Sequence, residues 1–125
     1  MDIALWVAQG ILAVAFLLAG TMKIVKGREV AIEQGQGYAE DFSDPTFTFI
    51  GVMELLGALG LILPAVSGTA TFIVPWAAVG LAVVMLSAMS VHARRGGEGR
   101  MIAVNLVLVV LALFVAWGRF GEYAL

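Results

Sequence analysis

Apolar residues follow one another along this chain in four long runs, separated by shorter segments that hold most of the charged residues. The runs cover about residues 3–22, 47–63, 69–91 and 101–117, and only the second contains an acid, Glu54. A hydrocarbon core about 30 Å thick is crossed by a helix of roughly 20 apolar residues. Strands of a membrane barrel would instead alternate apolar and polar residues in segments of about ten. The pattern therefore predicts an all-α integral membrane protein with four spans.

The segments between the runs predict how the helices are connected. Residues 64–68 form a very short connection of turn-forming residues, which predicts an antiparallel hairpin of the second and third spans. Residues 24–46 are far longer than neighbouring helices need, and residues 28–34 within them suit a short helix. Asp44 suits the N-cap of the second span and Pro45 its first turn. We expect one membrane domain over residues 1–125, an up-and-down four-helix bundle.

Basic residues are distributed unequally between the two ends of the predicted bundle. Six of the seven Lys and Arg residues lie in the first and third connections, whereas Arg119 lies at the opposite end. Cytoplasmic loops carry an excess of Lys and Arg. We therefore expect the long loop 24–46 to be cytoplasmic and both termini to be non-cytoplasmic. A cleaved signal peptide is not expected, because Asp2 and no basic residue precedes the first run.

Composition narrows the class of protein further. Hydrophobic residues make up 62% of the 125 residues and charged residues 13%, whereas a soluble domain is nearer half apolar and about a quarter charged. The absence of cysteine excludes a disulfide scaffold, a thiolate metal site and CxxC redox chemistry. The net charge of −2 gives no basic surface for nucleic acid. The expected partner is the lipid bilayer, and neither a metal nor a nucleic acid is expected.

Several segments together resemble one family of membrane proteins. The most specific is Glu54 followed by the small residues of positions 57–60. The others are residues 16–23, 75–81, 105–106 and 116–120. Over nearly its whole length the chain resembles the DoxX-like family of small four-helix bacterial membrane proteins. The resemblance implies a multi-pass protein of the bacterial plasma membrane and an association with membrane redox complexes, such as thiosulfate:quinone oxidoreductase. It supplies no catalytic residues.

Four polar residues are predicted to lie near the cytoplasmic side of the spans. Glu54 lies roughly 10 Å deep and Asn105 about 6 Å deep, whereas Lys23 and His92 end the first and third spans. A buried acid in a membrane is costly, so Glu54 should face the bundle interior and have a partner or be protonated. Side chains lean toward the helix N-terminus, which tilts Glu54 and Asn105 toward Lys23 and His92. We expect a Glu54–Asn105 contact to form most easily, with a Glu54–Lys23 contact as the alternative.

Two roles are open for this polar cluster. It can hold the helices together, since such hydrogen bonds contribute about 0.6 kcal/mol on average. It can instead form the polar floor of a pocket for the head group of a quinone or lipid. His92, beside two arginines, is expected at the membrane interface rather than as a metal or haem ligand. Small residues at helix-face spacing permit close packing within the bundle, a homo-oligomer, or docking to a larger membrane complex.

The sequence predicts a non-catalytic accessory subunit, or a binder of a lipid-soluble molecule such as a quinone or lipid, in a membrane redox system. The chain shows no cysteine pair and no flavin or iron–sulfur motif, so catalysis by the chain alone is not expected. No cofactor is predicted beyond a bound quinone or lipid. The alternatives are a subunit of a quinone-linked oxidoreductase and a proton or ion conductor that uses Glu54.

Overall fold

The structure is a computed structural model that describes all 125 residues, and every regular element in it is helical. Four helices are long and apolar enough to cross a membrane. They are α1 (Asp2–Val25), α3 (Asp44–Ser67), α4 (Ile73–Arg95) and α5 (Gly99–Phe120). The short helix α2 (Gly27–Glu33) and a 3-10 helix (Gly37–Asp41) lie between α1 and α3. The prediction of an all-α four-helix membrane bundle is confirmed.

Successive long helices run in opposite directions. Helix α1 packs against α3 and α5, and α4 packs against the same two, so the order around the bundle is α1, α3, α4, α5. One end of the bundle holds α2, the 3-10 helix and the α4–α5 connection, and we call it the loop end. The other holds both termini and the α3–α4 connection, and we call it the terminal end.

The core is narrow and most large apolar side chains point outward. Buried residues along the bundle axis include Leu12, Phe16, Leu61, Leu81 and Val115. Many other large hydrophobic side chains are exposed on all four long helices. A soluble monomer rarely exposes contiguous apolar surface on this scale. The arrangement fits helices whose outer faces contact lipid, with every backbone group of a span satisfied within its own helix.

Glycines bring α1 and α3 into close contact. A Cβ atom at Gly20 would lie 2.6 Å from the Gly51 carbonyl oxygen and 2.8 Å from the Leu55 nitrogen. On the side of α3 that faces α4, a Cβ atom at Gly57 would lie 2.6 Å from Cδ2 of Leu81, a residue of α4. Glycines of α3 therefore permit close packing against α1 on one side and against α4 on another, within a single chain.

The start of α3 differs by one residue from the sequence prediction. Ser43, not Asp44, is the N-cap, because Ser43 has an extended backbone and its Oγ accepts a hydrogen bond from the Thr46 N–H at 3.3 Å. Asp44 is the first helical residue, where a negative charge suits the helix dipole. Pro45 lies in the first turn, where an N–H group would have no helical partner.

Candidate functional site

A cavity of about 1130 Å³ lies in the loop-end half of the bundle. Helices α1, α3, α4 and α5 form its walls, and 18 of its 29 lining residues are hydrophobic. Small-molecule sites in proteins are typically about 300–1,000 Å³ and mostly apolar, with a few polar groups that orient the ligand. The volume and walls of this cavity therefore suit a sizeable apolar molecule. The wall residues include Phe16, Met22, Phe49, Ile50, Met85, Leu86, Met101 and Leu108.

All four polar residues singled out from the sequence line this cavity: Lys23, Glu54, His92 and Asn105. Lys23 Nζ lies 2.7 Å from Glu54 Oε1, and the two side chains are only 12% and 3% exposed. The Lys23 ammonium is the protein group that pairs with this carboxylate, and the second oxygen, Oε2, has no hydrogen-bond partner in the protein. The cavity therefore contains a nearly buried ion pair with free hydrogen-bonding capacity.

Asn105 does not contact Glu54, and the prediction that this pair forms most easily is wrong. Asn105 is buried, and its side chain makes no hydrogen bond within the protein. The reason is the packing order: α5 lies against α1 and α4, diagonally across the bundle from α3. Glu54 instead faces α1, which places Lys23 next to it. Asn105 faces the same cavity from its opposite wall.

His92 is buried within the protein, in the last turn of α4 beside its two arginine neighbours. Its side chain is 2% exposed, and Nδ1 lies 2.6 Å from Glu98 Oε1. The ring of Tyr38 packs against it with centroids 4.8 Å apart. The long connection folds back over the end of α4 and thereby removes His92 from the surface.

The long connection covers the loop end of the cavity, and we call α2 and the 3-10 helix together the roof. Arg28 Nε donates to the Ala39 carbonyl at 3.0 Å, which ties the two parts of the roof together. Arg95 Nη1 donates to Asp41 Oδ1 at 3.2 Å and thereby fastens the roof to α4. Burial raises the pKa of the Tyr38 hydroxyl, so this group stays protonated at neutral pH. The roof therefore forms part of the loop-end wall of the cavity, to which it contributes Ala31 and Tyr38.

Glu98 should make the loop end sensitive to acid. Hydrogen bonds from His92 and Arg95 lower the pKa of Glu98 below its ordinary value of 4.5. A lowered folded-state pKa stabilises the protein above the ordinary pKa, and this stabilisation is lost as the pH falls through the lowered value. We expect the melting temperature of the wild type to fall more steeply than that of Glu98→Gln between about pH 5 and 3.

The control for this prediction is Glu122→Gln, which removes an exposed acid at the terminal end. Its melting temperature should follow the wild-type pH dependence. Parallel pH profiles for the wild type and Glu98→Gln would contradict the role given to Glu98.

A second buried polar cluster lies at the terminal end, and the sequence pattern did not indicate it. Arg119 is 3% exposed; its Nε donates to Gln9 Oε1 at 2.7 Å and its Nη1 to Asp2 Oδ1 at 2.6 Å. Gln9 in turn donates to the Leu61 carbonyl at 2.8 Å. The available signal was Gln9, the only amide in the first apolar run. Because this cluster joins α1, α3 and α5 through its own contacts, it fastens helices together.

Comparison with known proteins identifies a family. A family model described as the DoxX-like family matches residues 7–115. The matched range includes Lys23, Glu54, His92 and Asn105, together with the whole roof. No curated protein and no solved structure matches the chain.

Proposed function

The chain belongs to the DoxX-like family and has the four long apolar helices of a multi-pass membrane protein, and we propose that it is a non-catalytic binder of a lipid-soluble molecule. The observation that carries the proposal is the cavity of about 1130 Å³, which has apolar walls and polar groups toward one end. A molecule with an apolar tail and a polar head, such as a quinone or a lipid, matches this distribution.

The walls of the cavity support entry from the lipid. Three wall residues, Phe49 on α3 and Val83 and Leu86 on α4, are also more than half exposed on the outer surface. The interior and the lipid-facing surface are therefore continuous near these residues. A ligand that partitions into the bilayer reaches the cavity sideways, without crossing the roof.

We further propose that the loop end faces the cytoplasm of a bacterial cell. The basic residues of both long connections lie at this end, whereas Arg119 is the only base in the sequence at the other. This distribution follows the excess of Lys and Arg in cytoplasmic loops. The head group of the ligand then lies in the cytoplasmic half of the plasma membrane.

We assign the protein an accessory role in a membrane redox system. Lys23, Glu54, His92 and Asn105 are acid–base and hydrogen-bonding groups, and the chain has no cysteine. They can hold and orient a quinone head group, but electrons would have to come from a partner. In the alternative, a subunit of a quinone-linked oxidoreductase, that partner supplies the redox centre.

Filling the cavity should remove the bound molecule. Ala19 lines the cavity and is half-buried, so phenylalanine at this position would occupy space that the ligand needs. We expect native mass spectrometry of the wild type in mild detergent to detect a tailed molecule on the chain. We expect Ala19→Phe to lose most of it.

The matched control is Leu18→Phe, on the neighbouring residue, which is 60% exposed and lies outside the cavity. This variant should retain the molecule, and the melting temperatures of both variants report whether they fold. A folded Ala19→Phe that keeps the same molecule as the wild type would contradict binding in the cavity.

A further inference from the structure

The polar end of the cavity offers hydrogen-bond acceptors that the protein does not satisfy. Glu54 is 2% exposed and lines the cavity; the Lys23 ammonium pairs with its Oε1 at 2.7 Å, and no protein group donates a hydrogen bond to its Oε2. An ionised carboxylate accepts at about four lone-pair positions, and only the Lys23 ammonium approaches this one. A buried acceptor without a donor is unfavourable, so a ligand that donates a hydrogen bond gains most here.

The Lys23–Glu54 ion pair adds no net charge to this end of the cavity. Lys23 and Glu54 neutralise each other at 2.7 Å. A carboxylate or phosphate placed on Lys23 would also face the Glu54 carboxylate, and an ammonium placed on Glu54 would face Lys23. Beside this pair either charged head group would be desolvated without a counter-charge of its own. Lys26 and Arg94 also line the cavity, but both are exposed and keep their charges in water. The site therefore favours an uncharged head group.

Asn105 adds both a donor and an acceptor from the opposite wall. Its amide makes no hydrogen bond within the protein, so its N–H and its carbonyl oxygen are both free for a ligand. A head group that both donates and accepts can use Glu54 on one wall and Lys23 or Asn105 as donors. A hydroxyl group has this combination.

We propose that the cavity selects an uncharged amphiphile whose head group carries a hydroxyl, with the O–H donating to Glu54 and the tail lying along the apolar walls. This inference rests on the proposed function and specifies the class of ligand. It also predicts that the two redox forms of one ligand differ in affinity. A quinone, which only accepts hydrogen bonds, binds less tightly than its hydroxylated, reduced form.

Three probes that share one tail and one ring test the head group: para-decylphenol, para-decylanisole and para-decylbenzoate. The anisole lacks the donor, and the benzoate replaces the hydroxyl by a negative charge. Binding to the delipidated full chain in detergent is measured by isothermal titration, with concentrations expressed per mole of micellar detergent. We expect the phenol to bind about 10- to 100-fold more tightly than the anisole, as for a hydrogen bond to a charged group. We expect the benzoate to bind more weakly than the phenol.

Variants locate this preference in the ion pair. The double variant Lys23→Met/Glu54→Met replaces both charges by apolar side chains of similar length, a kind of exchange that buried ion pairs often tolerate. It should lose most of the preference for the phenol over the anisole, since only Asn105 then remains as an acceptor for the phenol O–H. Glu122→Gln removes an exposed carboxylate at the terminal end and should keep the wild-type preference.

The outcomes separate the inference from the proposed function. If the anisole binds as tightly as the phenol, or the benzoate binds most tightly, the inference is overturned while binding in the cavity stands. The inference is also overturned if the double variant keeps the wild-type preference. If none of the three probes binds the wild type, the proposed function itself fails.

Discussion

Glu54→Met should lower the free energy of unfolding by about 3 kcal/mol, because it leaves the Lys23 ammonium in the protein without its counter-charge. Both side chains are nearly buried, at 12% for Lys23 and 3% for Glu54. Breaking a buried ion pair typically costs about 3–5 kcal/mol. We take the lower end of this range, since Lys23 lies in the last turn of α1 and its long side chain can reach toward the interface.

The double variant Lys23→Met/Glu54→Met should recover most of this loss, because neither charge then remains without a partner. Lys23→Met alone should be about as destabilised as Glu54→Met. The three variants and the wild type form a double-mutant cycle, measured by unfolding in mixed micelles with increasing denaturing detergent. Additive losses in the two single variants would contradict the ion pair.

Gly20→Ala should lower the free energy of unfolding by about 2–3 kcal/mol, since a methyl group there overfills a closed contact. The new Cβ would lie 2.6 Å from the Gly51 carbonyl oxygen, so the backbones of α1 and α3 must separate. The same separation moves Lys23 away from Glu54, because Gly51 itself packs against Lys23 Cβ. We therefore expect weaker binding of para-decylphenol as well as lower stability.

Gly10→Ala is the matched control, since it makes the same change in the same helix. No atom lies within 4 Å of a Cβ atom at Gly10. Its stability should be unchanged or raised by up to about 1 kcal/mol, the difference in helix propensity between the two residues. Equal stabilities for Gly20→Ala and Gly10→Ala would show that α1 and α3 do not meet at Gly20.

The four long helices could be predicted because their signal is local. Apolar runs of membrane-spanning length identify helices without knowledge of their neighbours. The distance of each residue from the end of its span likewise predicts that four polar residues lie at a similar depth in the membrane. All four line one cavity: Lys23, Glu54, His92 and Asn105. A sequence does not say in which direction around the helix axis a neighbour lies, however. The sequence therefore favours a Glu54–Asn105 contact, whereas α3 and α5 lie diagonally across the bundle and Glu54 pairs with Lys23 instead.

Long-range contacts account for the other differences. His92 is buried because residues distant in the chain, Tyr38 among them, fold over it. The cluster of Arg119, Gln9 and Asp2 joins distant parts of the chain, and the sequence separation of Gln9 and Arg119 is 110. Taken one at a time, these residues do not predict a cluster: they are an acid near the N-terminus, one amide in an apolar run, and a base near the membrane surface. Only the antiparallel packing of α1 and α5 brings them together.

The proposed function requires a lipid-soluble molecule to bind inside the bundle rather than on its outer surface. Photolabelling tests it most directly, with para-decylphenol that carries a diazirine in its tail, followed by peptide mass spectrometry of the labelled residues. Binding inside the bundle predicts adducts on wall residues such as Ala19, Ile50 and Val84, which unlabelled para-decylphenol suppresses. It would be contradicted by adducts that resist competition and lie mainly on outward-facing residues such as Val107 and Val110.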